Sequence, residues 1–103
     1  MACLIIPDIH NHIDAAEEWI EDYPASEVVF LGDYFDNIGD TPEIAAATAK
    51  WLRASLEDPK RTHLWGNHDL AYAFSDNIGF FCPGFTEEKS ARVNDVLTWE
   101  HWD

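Results

Sequence analysis

Asp8 and His10 in PDIHNH (residues 7–12), Asp33 and Asp36 in GDYFDN (32–37), and Asn67, His68 and Asp69 in GNHD (66–69) are the residues whose types and spacing could do chemistry. Each group follows directly on an apolar run: CLIIP (3–7), VVFLG (28–32) and THLWG (62–66). Carboxylate, imidazole and amide oxygen together form a donor set for hard-to-borderline divalent cations such as Mn, Fe, Co or Zn. An imidazole also titrates near neutrality and can move a proton. Any one group alone says little, because an Asp after a strand is often only a helix cap and Gly-Asn is often only a turn. The signal lies in three such groups, each at the same place relative to its apolar run.

Bringing them together requires elements that end at one place. The three apolar runs are rich in β-branched and aromatic residues and read as buried strands. Between the first two, Ile13, Ala16, Ile20 and Tyr23 recur at helical spacing, with Asn11 predicted as the N-cap. Between the second and third, Thr41 as N-cap and Pro42 at the first helical position begin a helix whose apolar face is predicted as Ile44, Ala47, Trp51, Leu52 and Leu56. The order β-α-β-α-β implies a parallel sheet with right-handed crossovers. The carboxyl ends of parallel strands share one edge, so the three groups converge in one crevice. Alternation along an extended segment predicts Asp8 and His10 on the same side. Beyond Asp69 lie an aromatic, Gly/Pro-punctuated loop (77–85), a helix capped by Thr86 with Val93, Val96 and Leu97 on its apolar face, and a short helix after Thr98.

The 103 residues are read as a single domain, 1–103, with 47% hydrophobic residues to supply a core. A net charge of −14 leaves no basic stripe for a long polyanion, so extended nucleic acid is not expected as a partner. It does not exclude a small phosphorylated substrate if bound cations supply the positive charge. No apolar stretch reaches the ~20 residues that span a bilayer, so no membrane partner is expected. The start lacks the basic region of a secretory signal, and a cytoplasmic location is the expectation. Cys3 and Cys82 match no metal spacing; Cys3 reads as a buried small hydrophobe.

Asp8-x-His10, Gly32-Asp33-x-x-Asp36 and Gly66-Asn67-His68-Asp69 together resemble the calcineurin-like metallophosphoesterases. The resemblance implies an α/β fold, a β-α-β-α-β parallel sheet with flanking helices like the first half of the metallophosphoesterase αββα sandwich. It implies one or two divalent ions (Mn, Fe, Co, Zn or Ni) and hydrolysis of a phosphodiester or phosphomonoester by metal-activated water. Carried over by position, Asp8 and His10 bind the first metal, Asp33 bridges both ions and Asn67 binds the second. His68 faces the substrate and protonates the leaving oxygen, Asp69 orients His68, and Asp36 braces the loop as a hydrogen-bond acceptor behind the ligands. The family's later histidine and its Gly-His-x-His segment have no counterpart after Asp69, which leaves a catalytically incompetent metal-binding fragment as the alternative. Of the other histidines, His63 is expected to be structural. His12 is weighed as a solvated helix-start residue against a ligand or substrate contact, and His101 has no predicted place. Phe80, Phe81, Phe85, Trp99 and Trp102 are expected to lie uncovered, which predicts a homo-oligomer, with a dimer favoured.

Overall fold

The computed structural model describes residues 2–74 and 84–102, with the side chains of residues 99 and 100 left aside. Three strands, β1 (Cys3–Ile6), β2 (Glu27–Phe30) and β3 (Arg61–His63), form a parallel sheet in the order β1-β2-β3. The helices α1 (Ile13–Asp22) and α2 (Pro42–Ser55) make the crossovers, and α3 (Asn67–Ala73), α4 (Glu87–Val96) and the single turn α5 (Trp99–Trp102) follow. The chain is thus α/β with flanking helices, as the strand and helix patterns predict. Among the described residues no helix is long and apolar enough to cross a membrane.

The core lies on one face of the sheet. Ile6, Val28 and Phe30 cluster with Ala16 of α1, with Ala45, Ala49 and Leu52 of α2, and with Val93 of α4 and Leu97 just after it. On the other face Ile5 and Leu31 are exposed at 58% and 45%. Thr41 caps α2 as predicted, its hydroxyl accepting from Ile44 N–H at 3.2 Å, and Pro42 opens the helix. The buried stripe of α2 runs through Ala45, Thr48, Ala49 and Leu52, not through the predicted Ile44 and Ala47. Small side chains let α4 come close against α2, and that close approach outweighs the larger hydrophobe at 44. Thr86 caps α4, accepting from Lys89 N–H at 3.1 Å.

Three other expectations need correction. His12, not Asn11, is the N-cap of α1, and it makes no side-chain cap bond. Phe85 and Trp102 are not uncovered: Phe85 packs against Tyr72 and Trp102 against Trp65, with ring centroids 5.1 and 5.0 Å apart. Both rings close over aromatic residues of the same chain. Cys3 is exposed instead of buried, because its strand lies at the sheet edge. The aromatic-loop expectations for Phe80 and Phe81, and for Cys82, fall outside the described residues.

His63 is structural. It stacks on Phe30 at 4.4 Å, with Nδ1 2.9 Å from the Tyr34 hydroxyl and Nε2 2.8 Å from Ser55 Oγ. Tyr34 donates its proton to the Leu64 carbonyl, so Nδ1–H donates to Tyr34 and Nε2 accepts from Ser55. Arg61 donates to Ser55 Oγ and makes a two-pronged ion pair with Glu17, which fastens α1 to β3. The ring must be neutral to fit this chain of bonds. Burial, assisted by the Arg61 charge, pushes its pKa down to about 4. In the unfolded chain the ring takes its proton near the ordinary value of 6.5, so the neutral folded ring stabilises above that pH and the contribution is lost as pH falls toward 4. Urea unfolding of wild type and His63→Gln across that window is expected to show wild type losing roughly 2 kcal/mol relative to the variant at the acid end, after allowance for the solvent-facing part of the ring. A gap constant with pH would mean that His63 is not held neutral.

Candidate metal centre and catalytic cleft

The three strand-end groups meet through backbone contacts that only certain residues allow. Asp8, His10, Asn11, Asp33 and Asp36 all have positive φ, between 41° and 70°. Asp, Asn and His tolerate this left-handed region better than other residues with a Cβ, which accounts for their choice as much as their chemistry does. The sharing of one site by Asp8 and His10 therefore comes from a left-handed turn after β1 has ended at Ile6, not from the alternation of a strand. Gly32 and Gly66 sit back to back. A Cβ on Gly32 would stand 2.3 Å from Gly66 N, and one on Gly66 would stand 2.2 Å from Asp33 Oδ1. Neither position accepts a side chain.

Hydrogen bonds stitch the loops together. His10 N–H donates to Asp33 O at 2.8 Å and Asn11 N–H to Tyr34 O at 2.7 Å. Asn11 also donates its amide to Thr48 Oγ1 and accepts from Asn37 N–H, both at 2.8 Å, which explains why it does not cap α1.

Asp8, His10 and Asp33 bring one ligand atom each within 4.8 Å of one another. His10 Nδ1 lies 2.8 Å from the Phe35 carbonyl, which can only accept, so Nδ1 carries the proton and Nε2 offers its lone pair. Two carboxylates and a neutral imidazole so arranged suit a divalent cation, which would also relieve the repulsion between the carboxylates. Asp33 Oδ1 accepts from His68 N–H at 3.0 Å. Asn67 is the first residue of α3, exposed, directly before His68. Beside the triad opens a cleft of about 650 Å³, lined by Asp8, His10, His12, Asp36 to Asp40, His68 and Gly84. His12 thus faces the same space as His68. The Nδ1 of His101 accepts from Thr98 N–H in its own turn.

His68 packs edge-on against His10, ring centroids 5.1 Å apart. Its Nδ1 lies 2.8 Å from Asp36 Oδ2. Asp36 Oδ1 accepts from the Tyr72 hydroxyl and, at 3.0 Å, from Lys89 Nζ. The Tyr72 hydroxyl and the Lys89 ammonium both donate to Asp36, which leaves its Oδ2 as an acceptor, so Nδ1 of His68 carries a proton and Nε2 faces the cleft. Lys89 Nζ also donates to Asp40 Oδ1 at 2.8 Å. Burial works against the Lys89 ammonium, yet the hydrogen bonds to Asp40 and Asp36 outweigh it and hold its pKa above the ordinary value. Burial drives the Tyr72 hydroxyl far up, with Asp36 adding to the effect.

Asp69 has a different part from the one its sequence position suggests. Its carboxylate, fully buried, accepts from Asp33 N–H at 2.6 Å, Tyr34 N–H at 2.9 Å and Gly66 N–H at 2.9 Å. It stands at the third position of α3 and reaches back to the cap residue, so it points away from the His68 ring; the carboxylate on that ring is that of Asp36. Burial pushes the Asp69 carboxyl up to about 7, against the pull of the three N–H bonds.

Lys89 and Tyr72 are the residues the motifs do not reveal. A signal for Lys89 does exist: Lys89, Val93 and Leu97 fall at intervals of four, on the buried side of α4.

The parallel sheet carries at its strand ends an Asp/His/Asp group that could hold a divalent ion, with a carboxylate-held imidazole beside it. The model of the calcineurin-like phosphoesterase family matches residues 1–102, and the chain belongs to that family. No curated protein and no solved structure matches the chain.

Asp69→Ala leaves three backbone N–H groups at 33, 34 and 66 without their acceptor, each costing about 1–3 kcal/mol where buried. Chemical denaturation is expected to show a loss of roughly 3 kcal/mol or more, with the Asp8/His10/Asp33 site weakened in equilibrium dialysis with Mn. A variant as stable as wild type would remove Asp69 from its clamping part.

Proposed function

We propose that the chain is a metal-dependent phosphoesterase acting on a small phosphodiester or phosphomonoester. The observation that carries this reading is the juxtaposition of the Asp8, His10 and Asp33 ligand atoms with the His68 imidazole, whose Nδ1 is taken by Asp36. Asp8, His10 and Asp33 would hold the first divalent ion, and Asp33 with Asn67 would serve a second. Such ions supply Lewis acidity toward phosphoryl oxygens and make water a stronger acid. Among the described lining residues of the cleft there is no Lys or Arg, and Lys89 behind it is paired with Asp36 and Asp40, so bound cations would be what makes an anionic substrate welcome.

His68 acts on the substrate side. With Nδ1–H held by Asp36, Nε2 faces the cleft; once the ring has taken up a second proton there, Nε2–H can bond a phosphoryl oxygen and pass that proton to the departing oxygen. The left-handed turns at Asp8, His10 and Asp33 hold the ligand atoms in place before any ion arrives, so little ordering remains to be done on binding.

Hydrolysis of p-nitrophenyl phosphate and of its diester with added Mn or Co, abolished by chelator, tests the reading. Asp33→Asn is expected to lose metal content, whereas His68→Ala is expected to keep its metal and lose about 10²–10⁴-fold in rate. Metal uptake without turnover in wild type would make the chain a metal-binding relative without competent chemistry. Unchanged metal content in Asp33→Asn would remove the ligand assignment.

A further inference from the structure

We propose that Lys89 of α4 is a positioning residue for the His68 imidazole, acting through Asp36; the proposal rests on the reading of His68 as the substrate-facing group. Lys89 is 4% exposed, deep for a lysine, and its ammonium joins two carboxylates from one loop. Asp36 Oδ1 takes Lys89 Nζ and the Tyr72 hydroxyl, and Oδ2 takes His68 Nδ1. A carboxylate can turn about its last bond. Two donors on Oδ1 stop that turning and leave Oδ2 to the ring. Lys89 also bonds Asp40 Oδ1, so it pins the loop 36–40 at both ends. Nearby, a Cβ on Gly84 would come within 3.0 Å of Asp36 Cβ, so the chain leading into α4 closes on the same residue from another side.

Removing the ammonium changes what this loop can do. Asp36 and Asp40 would face each other as buried carboxylates with no shared cation, and they would separate or take up a proton. Either response frees the Asp36 carboxylate to rotate and releases the His68 ring. A ring out of line by about 1 Å costs on the order of 10²-fold in rate without changing the metal ligands.

The experiment is steady-state kinetics on p-nitrophenyl phosphate with Mn, metal analysis, and proton–nitrogen NMR of the His68 imidazole. Lys89→Met is expected to lower kcat by about 10–100-fold while KM stays within about threefold and Mn content is unchanged. Lys89→Arg, which can still bridge the two carboxylates, is expected to recover part of the loss. The His68 Nδ1–H resonance, protected by Asp36 in wild type, is expected to shift or broaden away in Lys89→Met. A purely structural lysine would instead lower stability and leave kcat and the resonance of the folded fraction as in wild type. That outcome overturns the proposal, as does a parallel loss of metal and kcat in folded protein. If Lys89→Met does not fold, Lys89→Met/Asp40→Asn removes the uncompensated charge; wild-type kcat and resonance in that folded double variant are equally fatal. Should wild type show no turnover, the phosphoesterase reading fails, while the NMR comparison still decides whether Lys89 holds the ring.

Discussion

The Asp69 carboxylate is surrounded by backbone N–H groups, those of Asp33, Tyr34 and Gly66, at 2.6–2.9 Å. It draws the loop after β2 and the loop after β3 onto one acceptor, and that union holds the rest of the site. Once Gly66 and Asp33 are within reach of the same carboxylate, there is no room for a side chain at Gly66 or at Gly32. The Asp33 side chain can then turn to receive His68 N–H, which starts α3 at the correct place. The loop after β1 joins through the Asp33 and Tyr34 carbonyls. A carboxylate buried without a cation is costly, and burial pushes its pKa up accordingly. The fold accepts that cost where three peptide groups must be held at once.

The same loops carry five residues with a side chain at positive φ. Each such conformation costs of the order of 1 kcal/mol and persists only where the surroundings enforce it. Here the enforcement is visible: the bonds from His10 N–H and Asn11 N–H, the Asn11 amide bonded to Thr48, and the Asp69 clamp. The consequence is electrostatic. Asp8 and Asp33 are held close, and a divalent cation bound between them would relieve the repulsion of two carboxylates.

Much of this was legible in the sequence, for physical reasons. β1 and β2 coincide with apolar runs, and polar residues after parallel strands lie toward the sheet's carboxyl edge, so the loops could be placed together; β3 (Arg61–His63) is instead polar and at most partly buried, and the apolar Leu64 and Trp65 of the third run follow it. Thr41-Pro42 and Thr86 could be recognised as helix starts because their hydroxyls have few other local uses. What failed were choices between side chains equally able by type. Asn11 looks like a cap because asparagine caps helices, but its side-chain oxygen accepts from Asn37 N–H across the fold while its NH2 donates to Thr48. Asp36 and Asp69 are both carboxylates near His68, and the family resemblance assigned the orienting part to Asp69, whereas helix geometry turns residues one apart away from each other and Asp36 meets the ring. The stripe of α2 was misread because alanine and threonine carry a weak hydropathy signal although their small size decides the packing.

That stripe reaches the site. Because Ala45 and Ala49 present small side chains, α4 packs close on α2 and buries Val93, with Leu97 following one turn on. Lys89, one turn before Val93 on the same side of α4, is thereby carried into the interior, where an ammonium can remain charged only beside carboxylates. Asp36 and Asp40 meet that requirement, and Asp36 in turn meets His68. The placement of the imidazole thus depends on alanines in a helix that carries none of the chemical motifs. A larger residue at 45 or 49 would lift α4 outward and withdraw the lysine before it disturbed any ligand atom.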